Sequence, residues 1–88
     1  MIRYKLSDKQ VSTSLDGETV ILQYDSGEYF NLNETGTFIW NLLNQPRTET
    51  EIITAVSTHF DIAPASCETD IRLLLQDLEN EELVSKTD

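Results

Sequence analysis

Along the first third of the chain, apolar and β-prone residues fall in short runs broken by turn residues. Along the remainder apolar residues recur at the three- and four-residue spacing of a helix face. In residues 1–6, Ile2, Tyr4 and Leu6 fall on one side, which predicts a short strand or an ordered arm. Residues 11–15 lead into Asp16-Gly17. Asp-Gly between two β-prone runs signals a hairpin, because both residues tolerate positive φ. The run Thr-Val-Ile-Leu-Gln-Tyr at 19–24 is the clearest strand, and Asp25-Ser26-Gly27 then turns the chain into residues 28–32. These runs predict a three-stranded antiparallel meander.

The helical part opens at Asn33, a capping residue placed before Glu34, whose charge suits a helix N-terminus. Phe38, Ile39, Leu42 and Leu43 give this helix its apolar face, with Trp40 beside them, and Asn44-Gln45-Pro46 ends it. Thr48-Glu49-Thr50-Glu51 has the form of a capping box. The helix behind it carries Ile52, Ile53, Val56 and Phe60 at helical spacing. Pro64 suits the first turn of a third helix, on which Cys67, Ile71, Leu74 and Leu78 form one stripe. Leu75 widens that stripe on one flank, Asp70 and Asp77 border it on the other, and Leu73 stands apart. Leu83-Val84 is expected to pack down as a short tail or strand. The order β-β-β-α-α-α defines an α+β domain of winged-helix character, a single unit over residues 1–88 with its core at about 11–84.

Strand register supplies the first functional clue. A turn centred between Ser26 and Gly27 pairs Tyr24 with Tyr29, Leu22 with Asn31, and Ile21 with Leu32. One sheet face then carries Ile21, Phe30 and Leu32, and the other Val20, Leu22, Tyr24 and Tyr29. Both faces are partly apolar, whereas a sheet with one wet side shows a polar outer face. Either the N-terminal arm covers the second face or an external segment does. The third strand is an edge, because the chain leaves it for the helices, and a free edge invites an added strand. The arc on the third helix is wide enough to serve the core alone or to line a groove as well.

Charge narrows the choice of partner. Sixteen acids against six bases give a formal net charge of −10. Proteins that grip phosphate backbones take their affinity from Lys and Arg, so this chain is expected to repel DNA, RNA and anionic membranes. That acidity serves solubility, or attracts a basic partner. The hydrophobic fraction of 39% is that of a folded domain. A single cysteine, Cys67, forms no internal disulfide and suits a reducing cytoplasm. No run is long enough to span a membrane, and the first ten residues lack a signal-peptide core.

No catalytic set is legible. Cys67 and the lone His59 share no nucleophile-base motif, and together they make no zinc set. His59 reads as a surface residue at a helix end, Cys67 as a small buried apolar side chain. The three glycines, Gly17, Gly27 and Gly36, form no phosphate loop. No cofactor is expected.

The stretch Gly27-Glu28-Tyr29-Phe30-Asn31-Leu32-Asn33-Glu34-Thr35-Gly36 is followed by Phe38-Ile39-Trp40 and Leu42-Leu43. Then come the capping box, residues 70–78, and Glu82-Leu83-Val84. This ordered set, from about Val11 to Val84, resembles the PqqD-like family, the RiPP recognition elements. The resemblance implies a winged-helix-like fold that binds the leader of a ribosomally made precursor peptide as an added strand between the third strand and third helix. That is the groove which the register, the free edge and the helix-three stripe already suggest, and the expected peptide-binding site is Val20, Leu22, Tyr24, Glu28, Tyr29, Phe30, Asn31, Leu32, Cys67, Asp70, Ile71, Leu74 and Asp77. Asn33-Glu34-Thr35-Gly36 with Trp40 is most similar to the stand-alone leader-binding proteins of lasso-peptide pathways. The D protein of pyrroloquinoline-quinone biosynthesis is the alternative. Membership implies a bacterial cytoplasm and a separate leader peptidase of the cysteine-protease type as partner, with a cyclase or exporter as further candidates. Two readings outside the family remain: a winged-helix regulator, which Arg72 among Glu68, Asp70 and Asp77 serves poorly, and a domain that pairs with a second copy through its free edge.

Overall fold

The computed structural model describes all residues, 1–88. Five strands and three helices follow one another as β1 (Arg3–Leu6), β2 (Gln10–Leu15), β3 (Glu18–Gln23), β4 (Tyr29–Leu32), α1 (Glu34–Leu42), α2 (Glu49–Phe60), α3 (Pro64–Asn80) and β5 (Val84–Thr87). Strands β2-β3-β4 form the antiparallel meander, α1 packs on one of its faces, and α2 and α3 pack in turn beyond α1. The β2–β3 turn has Asp16 at φ 54° and Gly17 at φ 79°, the two left-handed residues that the Asp-Gly pair provides for.

The second turn departs from expectation. Ile21 pairs with Phe30 and Leu22 with Tyr29, so the turn is centred one residue earlier and the register is displaced by two. The cause is Gln23, whose buried side-chain Oε1 accepts the backbone N–H groups of Asp25 at 2.6 Å and Ser26 at 3.0 Å. Gln23 N–H also donates to the Glu28 carbonyl at 2.9 Å, which closes the ladder around a four-residue loop. A displacement of two preserves parity, so every side chain keeps its face.

The N-terminal arm does not cover the outer face of the meander. It is β1, paired antiparallel with β5, and its other edge joins Arg47 through Tyr4 N–H and C=O. Met1 and Asp88 close the far end of this ribbon. Val11, Val20, Tyr24 and Tyr29 therefore remain exposed.

The core gathers where the helices meet the inner face of the sheet. Ile21, Leu32, Ile39, Trp40, Leu43, Ile52, Val56, Ile71, Leu75 and Leu83 are buried there. Trp40 is nearly inaccessible, and its indole N–H donates to Ser12 Oγ on β2 at 3.0 Å. The helix starts follow the expected chemistry. Asn33 Oδ1 accepts from Gly36 N–H, and Thr48 and Glu51 exchange both capping-box bonds. Pro64 stands at the start of α3. The stripe on α3 is centred differently from the sequence expectation: Leu75 is fully buried and Leu74 only partly. Leu74 thus sits at the border between core and solvent.

Candidate functional site

Strand β4 has only one neighbour in the sheet. Backbone alternation tells which of its groups are free. Gln23 and Glu28 form a hydrogen-bonded pair, so Ile21/Phe30 and Thr19/Leu32 follow as hydrogen-bonded pairs and Leu22/Tyr29 and Val20/Asn31 do not. The N–H and C=O groups of Tyr29 and Asn31 therefore point away from β3, along the open edge. Unpaired groups of this kind need water or a new strand.

Opposite that edge lies α3, which packs mainly on α2 and β5. The space between β4 and α3 is a cleft in two parts that share Asn31, Leu32 and Leu74. The larger part, about 740 Å³, is floored by Ile39, Val56, Phe60, Cys67 and Ile71. The smaller, about 360 Å³, runs past Phe30, Asp77, Leu78 and Leu83 to Glu81.

The cleft is held open by specific contacts. Thr19 Oγ1 donates to Thr37 Oγ1 at 2.8 Å, and Thr37 Oγ1 donates to the Leu32 carbonyl at 3.3 Å, fixing the end of β4 to α1. Gly36 lets the first turn of α1 lie against β4: a Cβ there would stand 3.1 Å from Leu32 Cβ. At the other end Gln23 Nε2 donates to the Glu81 carbonyl at 3.4 Å, tying the β3–β4 turn to the end of α3.

The sequence-derived residues separate into two groups. Asn31, Leu32, Cys67, Asp70, Ile71, Leu74 and Asp77 line the cleft, together with Phe30 in its smaller part. Val20, Leu22, Tyr24 and Tyr29 occupy the opposite face of the sheet and none of them lines the cleft; Tyr29 offers only its outward backbone groups on the open edge of β4. Glu28 lies in the turn, exposed. Residues the sequence reading left out are Ile39, Val56 and Phe60, whose helical spacing reads as core, and Glu81, which stands just past the helix. Phe60 packs edge-on against Phe38 at 5.5 Å, and His59 stacks on Phe38 at 4.2 Å. The Cys67 thiol lies 3.5 Å from the Pro64 carbonyl. No group of three or more His, Cys, Asp or Glu side chains is placed to hold a metal, and no helix is long and apolar enough to cross a membrane.

Three ionisable groups are displaced from their ordinary values. The Glu51 carboxyl is held below the usual carboxylate range by the Thr48 backbone N–H in the capping box. Lys9 is raised by its hydrogen bond to Asp25 and by the charge of Glu82, and Arg72 by its hydrogen bond to Glu49. All three lie outside the cleft and serve the fold.

An open strand edge facing an apolar helix stripe across a cleft defines a small α+β domain built around a strand-sized groove. The chain belongs to the PqqD family: the family described as coenzyme PQQ synthesis protein D matches residues 18–84. Among solved structures it is similar to TbiB1 in complex with the TbiA(beta) leader peptide. That chain is 36% identical, with a TM-score of 0.85, over 92% of this chain and 94% of that one. It is also similar in fold to lasso peptide synthetase B1 complexed with the leader peptide, at 22% identity and a TM-score of 0.80, over 93% of this chain and 96% of that one. No curated protein matches the chain.

Proposed function

We propose that this protein is a non-catalytic leader-peptide binding protein that captures a ribosomally made precursor, of the lasso-peptide kind, by strand addition in the β4–α3 cleft. The observation that carries the reading is the coincidence of free backbone groups on Tyr29 and Asn31 with an apolar helix wall across the cleft. Main-chain pairing supplies affinity with little sequence demand, and side-chain pockets supply selection. The 36% identity to a chain solved with its leader peptide supports the same reading.

Asn31, Leu32, Cys67, Ile71 and Leu74 would touch the peptide, with Asp70 and Asp77 at its flank. Phe30 would contribute from the sheet side. The apolar face of exposed Val20, Tyr24 and Tyr29 with half-buried Leu22 is a second surface, on the far side of the sheet from the cleft. A bound leader would extend the sheet and set its alternate side chains beside that face. The separate leader peptidase, and a cyclase if one acts, would then meet the complex in a bacterial cytoplasm.

The family description favours a second reading, a PqqD-type chaperone of pyrroloquinoline-quinone biosynthesis, which would use the same cleft for a different precursor. Titrating the purified protein with the leader of a precursor encoded beside its gene separates the two. Saturable binding to a lasso-type leader supports the first. Binding only to a pyrroloquinoline-quinone precursor supports the second. Cleavage or modification of either peptide by the protein alone would refute the non-catalytic role.

A further inference from the structure

The charges around the cleft are distributed unevenly along it. Asp70, Asp77 and Glu81 line it; all three are exposed and their carboxylates take part in no ion pair. No lysine or arginine lines either part. The nearby bases are engaged elsewhere: Lys9 with Asp25 and Glu82, Arg72 with Glu49 and Glu68, Lys86 with Glu79. At about 100° per residue, positions 70 and 77 fall within roughly 20° of one line along α3, and Glu81 follows as the residue that caps its end. The last turn of α3 holds no basic residue, so its carbonyl end adds to the negative potential. Both parts of the cleft thus have an apolar lining, but the larger, here the apolar part, carries one acid at its rim and the smaller, here the acidic part, carries two.

We infer that the cleft selects both the charge and the chain direction of its occupant. It takes an extended segment with a bulky apolar side chain seated between Phe60 and Ile71 and a lysine or arginine about four residues toward the segment's C-terminus, over Asp77 and Glu81. This rests on the strand-addition reading above.

The spacing follows from two repeats. From Ile71 to the midpoint of Asp77 and Glu81 the helix rises about 12 Å, which an extended strand covers in about four residues. An even number puts both side chains on the same face of the strand, toward α3. The direction follows from topology. β4 runs from Phe30, beside the acidic part, to Leu32 and Asn33, beside the apolar part. Every pairing in this sheet is antiparallel, and a strand added in that sense runs from the apolar part to the acidic part. The long stem of a lysine or arginine packs over Leu74 and Leu78 while its charge reaches the carboxylates.

An mRNA-displayed library of random twelve-residue peptides, selected at low salt on the immobilised protein and on its Asp77→Asn/Glu81→Gln variant, tests this. Both substitutions are at exposed positions, and circular dichroism verifies the fold. The expected result is an aliphatic or aromatic residue followed four positions later by lysine or arginine, enriched about threefold to tenfold over the library. The variant should lose the basic preference and keep the apolar one. Bases enriched on the N-terminal side of the apolar residue, a preference for acids, or a basic preference unchanged in the variant would overturn the inference while leaving strand addition standing. If no peptide is enriched on either protein, the inference and the strand-addition reading fall together.

Discussion

Replacing Asn31 with proline isolates the backbone contribution of the open edge. The Asn31 N–H points away from β3, so the substitution deletes one outward donor and no ladder bond. Proline is tolerated on edge strands where its missing N–H would face solvent, and it biases the preceding residue toward the extended conformation that Phe30 already has. One lost hydrogen bond costs about 0.5–1.5 kcal/mol, and the peptide carbonyl left without a donor in the cleft raises that toward 2 kcal/mol. The dissociation constant for a fluorescently labelled leader peptide should therefore rise about 2- to 30-fold in an anisotropy titration. Thermal melting by circular dichroism should change little. The control is Phe30→Pro, whose N–H faces Ile21 within the ladder; it should lower the melting temperature markedly. An Asn31→Pro variant that keeps its fold and binds as tightly as the parent would show that the peptide does not pair with β4.

Four further outcomes follow. Trp40→Ala removes a buried indole and its bond to Ser12, and should cost about 3–5 kcal/mol in chemical denaturation; a well-folded variant that has only lost binding would place Trp40 in the wrong role. Leu74→Ala should weaken leader binding by about 1–3 kcal/mol, more than Tyr29→Ala, since Leu74 borders both parts of the cleft and Tyr29 points to the opposite face; the reverse order would move the binding surface to the outer sheet. Thr48→Ala should cost about 1 kcal/mol through the lost helix cap. Glu51 has a depressed folded value, so its stabilisation is complete above the ordinary carboxylate range and is lost as pH falls through the folded value. The stability gap between the parent and Glu51→Gln should be constant near neutrality and shrink in acid; a gap that widens in acid would contradict the capping-box origin.

Most of the fold was legible because its signals are local. Asp16-Gly17 specifies its turn by conformation alone, and Asn33, Thr48 with Glu51, and Pro64 each mark a helix start. What was not legible depends on distant partners. The turn after β3 is placed by the Gln23 side chain, and a glutamine carries no turn signal. The parity of the register survived that displacement, so the inner face of Ile21, Phe30 and Leu32 was assigned correctly. The destination of the N-terminal arm depends on Val84–Thr87 and Arg47, which nothing in residues 1–6 announces. Within the site, α3 gave Cys67, Asp70, Ile71, Leu74 and Asp77 through its periodicity. Val56 and Phe60 on α2 were read as core, because a residue that floors a cleft shows the same spacing as one that is covered.

Backbone amide and cross-strand nuclear Overhauser measurements on isotope-labelled protein with bound leader peptide test the central claim most directly. The amide shifts should cluster on residues 28–33 and on 67–78, and peptide α-protons should show cross-strand contacts to Tyr29 and Asn31. Shifts confined to α2, or to Val11, Val20 and Leu22 on the outer face with no contact to Asn31, would contradict capture in the β4–α3 cleft.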